Sequence, residues 1–131
     1  MANNIVGIWK MVRTESTVAD GRPMPAPYGG AGGLGIITFT ADGRMACVLC
    51  DSRTDLPADA PREYNSYCGA YVFDGKQLST KVDACSLPKW FGTDQVRDVS
   101  YEGDLMVLRP PLRAYAAQAE QRVLYWRKMS D

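Results

Sequence analysis

Leu34-Gly35-Ile36-Ile37-Thr38-Phe39-Thr40-Ala41-Asp42-Gly43-Arg44-Met45-Ala46-Cys47-Val48-Leu49-Cys50 reads as two β-rich runs folded back on each other about an Asp-Gly turn. Asp and Gly tolerate the positive φ that a tight hairpin requires, and the flanking runs are rich in β-branched and apolar residues. The same punctuation recurs at Asp20-Gly21, Asp74-Gly75 and Gly103-Asp104. No segment carries a sustained helical period.

Working outward from this hairpin, the chain divides into eight such runs: Val6–Thr17, Leu34–Thr40, Arg44–Cys50, Tyr64–Phe73, Gln77–Ala84, Gln95–Tyr101, Leu105–Arg109 and Gln121–Lys128. Runs joined largely by hairpins favour a meander, and closing it removes the exposed edges of the sheet. The expected fold is all-β: a single antiparallel up-and-down β-barrel of about eight strands, one domain over residues 1–131. Such a barrel is just wide enough for its own side chains or one small ligand. Three connections are longer. Ala19–Gly33 is rich in Pro and Gly and reads as an irregular loop at one barrel end. Asp51–Glu63 carries Pro57 and Pro61, and Pro110–Glu120 carries an Ala-rich stretch in which one or two helical turns are expected.

Composition narrows the function. Hydrophobic residues make up 46% of the chain and charged residues 23%, the balance of a globular protein. Lys plus Arg and Asp plus Glu number 15 each, so the basic excess of a nucleic-acid binder is missing. No run of about 18 apolar residues suggests a membrane span. Met1-Ala2-Asn3-Asn4-Ile5-Val6 lacks the basic and apolar regions of a signal peptide, so a cytoplasmic protein is expected, either monomer or homodimer. In that compartment Cys47, Cys50, Cys68 and Cys85 read as free thiols. Histidine is absent, which removes the commonest general base and metal ligand together. No metal and no cofactor are expected.

Two short motifs are read structurally. Gly30-Ala31-Gly32-Gly33-Leu34-Gly35 matches a dinucleotide-binding pattern, but a Pro-rich loop precedes it and a strand follows where a helix is needed. It is expected to be a lip at the barrel mouth. Cys47-Val48-Leu49-Cys50 matches a redox pair, yet in a strand its two thiols point to opposite faces.

Alternation nominates the residues inside. Trp9 should face inward on the first strand, with Met11 beside it. If the alternation continues, Arg13 and Glu15 also point into the barrel; if the strand bends, both reach solvent at the rim. On the sixth run, Gln95, Arg97, Val99 and Tyr101 are expected inside. The fourth run leaves two faces open, one with Asn65, Tyr67, Tyr71 and Phe73 and one with Tyr64, Ser66, Cys68 and Val72. Trp90 and Phe91, between Pro88 and Gly92, either plug one barrel end or touch a ligand.

Several segments together resemble the bacterial lipocalin-like domain family. They are Gly7-Ile8-Trp9-Lys10-Met11-Val12, Ile37 through Met45, Tyr67-Cys68-Gly69-Ala70-Tyr71, Pro88 through Arg97, and Tyr125-Trp126-Arg127. The resemblance spans nearly the whole chain. It implies the lipocalin-like barrel, with Arg127 lying over the ring of Trp9. Members often carry histidine on the strand before the Pro-x-Trp segment; here Gln77–Ala84 has none.

The residues favour a small-molecule-binding barrel acting as a cofactor-free enzyme of cyclase, isomerase or lyase type on a hydrophobic, oxygen-bearing metabolite. Arg97 and Glu15 are the catalytic candidates. Arg13, Gln95, Tyr67, Tyr71, Trp90 and Met11 are the ligand-binding candidates, with Asp83, Asp94 and Lys81 as further acid–base or anion-stabilising groups. A charged donor set inside one cavity suits a reaction that needs positioning and polarisation alone. The alternative is a non-catalytic carrier or sensor of a small apolar ligand, expected if the lumen is apolar. A structural domain is expected if Trp9, Phe39, Tyr71 and Trp126 fill the lumen.

Overall fold

The computed structural model describes residues 4–114 and 119–131. Its strands are β1 (Gly7–Val18), β2 (Pro23–Met24), β3 (Gly33–Phe39), β4 (Arg44–Asp51), β5 (Tyr64–Phe73), β6 (Gln77–Cys85), β7 (Asp94–Glu102), β8 (Leu105–Arg109), β9 (Arg113–Ala114) and β10 (Ala119–Ser130). The eight long strands coincide with the eight runs of the sequence; β2 and β9 are two-residue additions at the mouth.

Strands β3 to β8 pair antiparallel with their neighbours in chain order, β8 pairs with β10, and β1 pairs with both β3 and β10. The ring is therefore a closed antiparallel barrel of eight strands, lipocalin-like as expected. Among the described residues, helix is confined to two short 3-10 segments, Pro27–Gly32 and Pro88–Trp90. The turn expected in Pro110–Glu120 is strand at Arg113–Ala114 and again from Ala119, while residues 115–118 lie outside the described ones.

One end is shut by packing. Trp9 is buried and its indole N–H donates to the Ile5 carbonyl over 2.9 Å. Phe39 meets Tyr71 edge to face at 5.1 Å, and the Tyr71 hydroxyl donates to the Thr40 carbonyl. Met45, Leu78 and Met106 complete this plug. The cation over Trp9 is Lys128, 5.5 Å from the ring centroid, rather than Arg127. The register explains the correction: Lys128 stands opposite Trp9, and Trp126 already points inward, so Arg127 must point out. There it pairs with Asp104.

A β-bulge decides the polarity of the lumen. Met11 pairs with Trp126 and Arg13 with Tyr125, which leaves Val12 as an extra residue in β1. Before it, Trp9 and Met11 face inward; after it, Thr14, Ser16 and Val18 do. Arg13 and Glu15 are thereby turned to the outer surface. Arg13 stacks 3.8 Å above the Tyr125 ring, and Glu15 accepts the Tyr125 hydroxyl at 2.9 Å. A second irregularity lies between Cys68 and Gly69, where β5 presses on β6. A Cβ added at Gly69 would sit 1.8 Å from the Lys81 carbonyl oxygen, so only glycine fits this crossing.

Candidate functional site

The open end of the barrel is built by Pro27–Gly32, the loop from Asp51 to Glu63, Pro88–Trp90 and the segment from Pro110 to Ala114. The Pro27–Gly32 lip is held in place rather than loose. Asp51 is buried and binds Arg53 through both carboxylate oxygens, with Nη2 at 2.7 Å, and Gly29 lies directly against this pair. The Thr14 hydroxyl donates to the Pro27 carbonyl, and the Tyr28 amide donates to Glu63 at 2.9 Å. Tyr28 has φ of 56°, the left-handed region that a bulky side chain rarely occupies. Gly29 and Gly30 continue in that region, and this turn drops the Tyr28 ring into the barrel, where it is buried.

Beneath the lip is a cavity. The space between its walls is about 480 Å³ with its open mouth included, of which the centre of a water molecule can reach about 40 Å³. It is a narrow slot. Ile37, Leu49, Leu108, Pro110, Leu124 and Trp126 supply its apolar walls; Tyr28, Cys47, Asn65, Tyr67, Trp90, Arg97 and Arg122 supply the rest. Tyr28, Asn65, Trp90 and Arg122 also border a wider vestibule lined by Arg62, Lys89 and Arg113, with Glu63 as its one carboxylate among the described residues. These four shared residues form the neck between vestibule and slot.

Arg97 is the charged group of the inner slot, 8% exposed. Its Nη1 donates to the Val96 carbonyl at 2.9 Å and its Nη2 to Gln95 Oε1 at 3.4 Å. Gln95 is itself anchored by Thr93, so it serves as a brace for the guanidinium. The Tyr67 ring lies 5.9 Å from the Arg97 carbon and meets Trp90 edge to face at 5.6 Å. Arg122 bridges two carboxylates, with Glu63 at 2.7 Å and Glu120 at 3.4 Å. Glu120, buried on β10, also accepts the Ser16 hydroxyl. Burial keeps the neutral forms of the titratable walls: desolvation, followed by the Glu63 charge, holds the Tyr28 phenol far above its ordinary range. Desolvation likewise pushes the Cys47 thiol up to about 12, against the opposing pull of Arg97. The slot therefore presents protonated donors and a fixed cation.

The candidates nominated from sequence separate into three groups. Arg97, Tyr67 and Trp90 line the slot, and Gln95 braces Arg97. Met11 and Tyr71 face inward elsewhere: Met11 packs against Gly33 and Gly35, and Tyr71 belongs to the opposite, plugged end. Arg13 and Glu15 are outside, as are Asp83, paired with Arg44 at 2.6 Å, and the exposed Lys81 and Asp94. Phe91 is 67% exposed and is neither plug nor wall. Asn65 and Tyr67 resolve the two open faces of β5 in favour of the first. Sequence reasoning missed Tyr28, Asn65, Glu120 and Arg122 as site residues. Counting back from Trp126 by twos reaches Leu124, Arg122 and Glu120, so that signal was present. Tyr28 had no such signal, because its placement depends on a left-handed turn.

Cys47 faces inward and Cys50 outward, and Cys68 and Cys85 are likewise unbridged. Among the described residues no three metal-ligating side chains converge, and no helix is long and apolar enough to cross a membrane. A family model described as a lipocalin-like domain matches residues 6–129. No curated protein and no solved structure matches the chain.

Proposed function

The chain belongs to the lipocalin-like domain family, and on that footing we propose that it binds one small, slim, mainly apolar molecule in the slot beneath Tyr28, holding an oxygen of that molecule on Arg97. The observation that carries this reading is the pairing of apolar slot walls with the braced, buried guanidinium of Arg97. Burying a charge is costly, and Arg97 retains donors beyond the two that Val96 and Gln95 use. Leu124 is one of the apolar residues that line the slot. Leu124→Trp should fill it, at about 1–3 kcal/mol of overpacking, and block uptake of small unsaturated carbonyl compounds detected by native mass spectrometry. Uptake by Leu124→Trp equal to that of the parent would place the binding site elsewhere.

One observation favours a catalytic reading of the same slot. The Tyr28 hydroxyl is held protonated by burial and the nearby Glu63 charge, and Arg97 lines the same chamber. Such a pair polarises a carbonyl or enol oxygen without any cofactor, the requirement of a cyclisation, isomerisation or elimination through an oxyanion-like transition state. Glu15, on the outer face, has no part in it. With a substrate in hand, Tyr28→Phe should lower kcat about 100-fold or more while the far-ultraviolet spectrum is unchanged. Undiminished turnover would reduce Tyr28 to a lip residue and leave the barrel a carrier or sensor.

A further inference from the structure

We infer that the molecule held in the slot is a monoanionic carboxylate, so that the bound ligand supplies the counter-charge that Arg97 lacks; this rests on the slot being the binding site. Among the described residues, three charged ones are buried outright: Asp51, Arg97 and Glu120. Asp51 has Arg53 at 2.7 Å, and Glu120 has Arg122 at 3.4 Å. Arg122, nearly as buried, has Glu63 as well. Among the described residues no carboxylate oxygen comes within 4.0 Å of Arg97; its partners are a carbonyl, an amide oxygen and a tyrosine ring. Cys47 could offer the missing charge only as a thiolate, and with its thiol pushed up to about 12 it does not do so near neutral pH.

The remaining chemistry selects the anion. A guanidinium presents parallel N–H groups that match a planar carboxylate. A single uncompensated positive charge is balanced by one negative charge, whereas a phosphate monoester would bury a second. Trp126 also lines the slot, and its buried indole N–H has no acceptor among the described residues, so it is a second donor for a ligand oxygen. The approach is charged in the same sense, since Arg62, Lys89 and Arg113 line the vestibule against Glu63. A field of that sign draws anions toward the neck.

The test uses matched acid and amide pairs of three shapes: benzoate and benzamide, cinnamate and cinnamamide, octanoate and octanamide. Titration calorimetry on the intact protein at pH 7 should show the best-fitting acid binding at least about tenfold more tightly than its amide. Arg97→Met should abolish the difference in affinity between that acid and its amide. Cys47→Asp places a carboxylate beside Arg97 from the barrel wall, and should erase the preference even if Arg97→Met fails to fold. Amide binding equal to acid binding in the parent overturns the carboxylate inference while the slot stands as the binding site. Failure of all six compounds to bind overturns the slot itself, and the inference with it.

Discussion

Replacing Trp9 by alanine tests how the closed end of the barrel is held. The indole is buried against the plug, 4% exposed, and its N–H satisfies the Ile5 carbonyl. Truncating a buried tryptophan costs about 3–5 kcal/mol through lost transfer energy and a cavity that refills only in part. A chain of 131 residues has an unfolding entropy of about 0.28 kcal/mol/K near its midpoint, so each kcal/mol lowers Tm by about 3.6 °C. Trp9→Ala should therefore melt about 11–18 °C below the parent. Trp9→Phe keeps most of the ring and loses the hydrogen bond, so its cost should be well under half of that. Lys128→Ala removes the cation above the ring, about 0.5–1 kcal/mol, while Arg127→Ala removes an exposed pair with Asp104 worth about 0–1 kcal/mol. Thermal melts followed by circular dichroism supply the four values. A Tm for Trp9→Ala within about 3 °C of the parent would refute a packed base.

Gly69→Ala should destabilise by about 3 kcal/mol or more, because the new methyl collides with the Lys81 backbone and β5 and β6 must part to admit it; a guanidinium midpoint equal to the parent's would refute the close crossing. Acid should unfold the protein through Asp74, Asp83 and Asp51. Asp74 is held below the ordinary carboxylate range by the backbone N–H groups of Gln77 and Lys76, and the other two by Arg44 and Arg53 hydrogen bonds. Because the folded values are the lower ones, the stability they contribute is present above pH of about 4 and is lost as pH falls through the folded values. Melts between pH 7 and 2.5 should fall only in the acid range, and Asp74→Asn should flatten part of that fall; stability that rises below pH 4 would contradict the assignment.

The strands were legible because hairpin turns and β-branched runs are local signals, and closure follows once eight of them need partners. The inward face of β7 was legible for the same reason: Gln95, Arg97, Val99 and Tyr101 alternate without interruption. The first strand misled at one residue. Alternation carried Arg13 and Glu15 inward, and the bulge at Val12 turned both out, with nothing in the local pattern to mark where the extra residue lies. A single slip of this kind moved a catalytic candidate from the lumen to the surface. Tyr28 was hidden for a different reason. Pro27-Tyr28-Gly29-Gly30 announces a turn, but which ring it delivers into the barrel depends on contacts with Glu63, Asp51 and Thr14, which are far away in sequence.

The longest seam of the barrel joins β1 to β10, ten residue pairs running from Ile8 with Ser130 to Val18 with Glu120. During synthesis the first strand must wait for nearly the last. Until residues 119–130 have left the ribosome, β1 and β8 each present an unpaired edge, and the apolar side chains of the lumen face an open trough. Contacts of such sequence separation also make folding slow. The nascent chain is thus most vulnerable to edge-to-edge association just before β10 emerges, and a stall in translation upstream of β10 would leave this sheet without the strand that closes it.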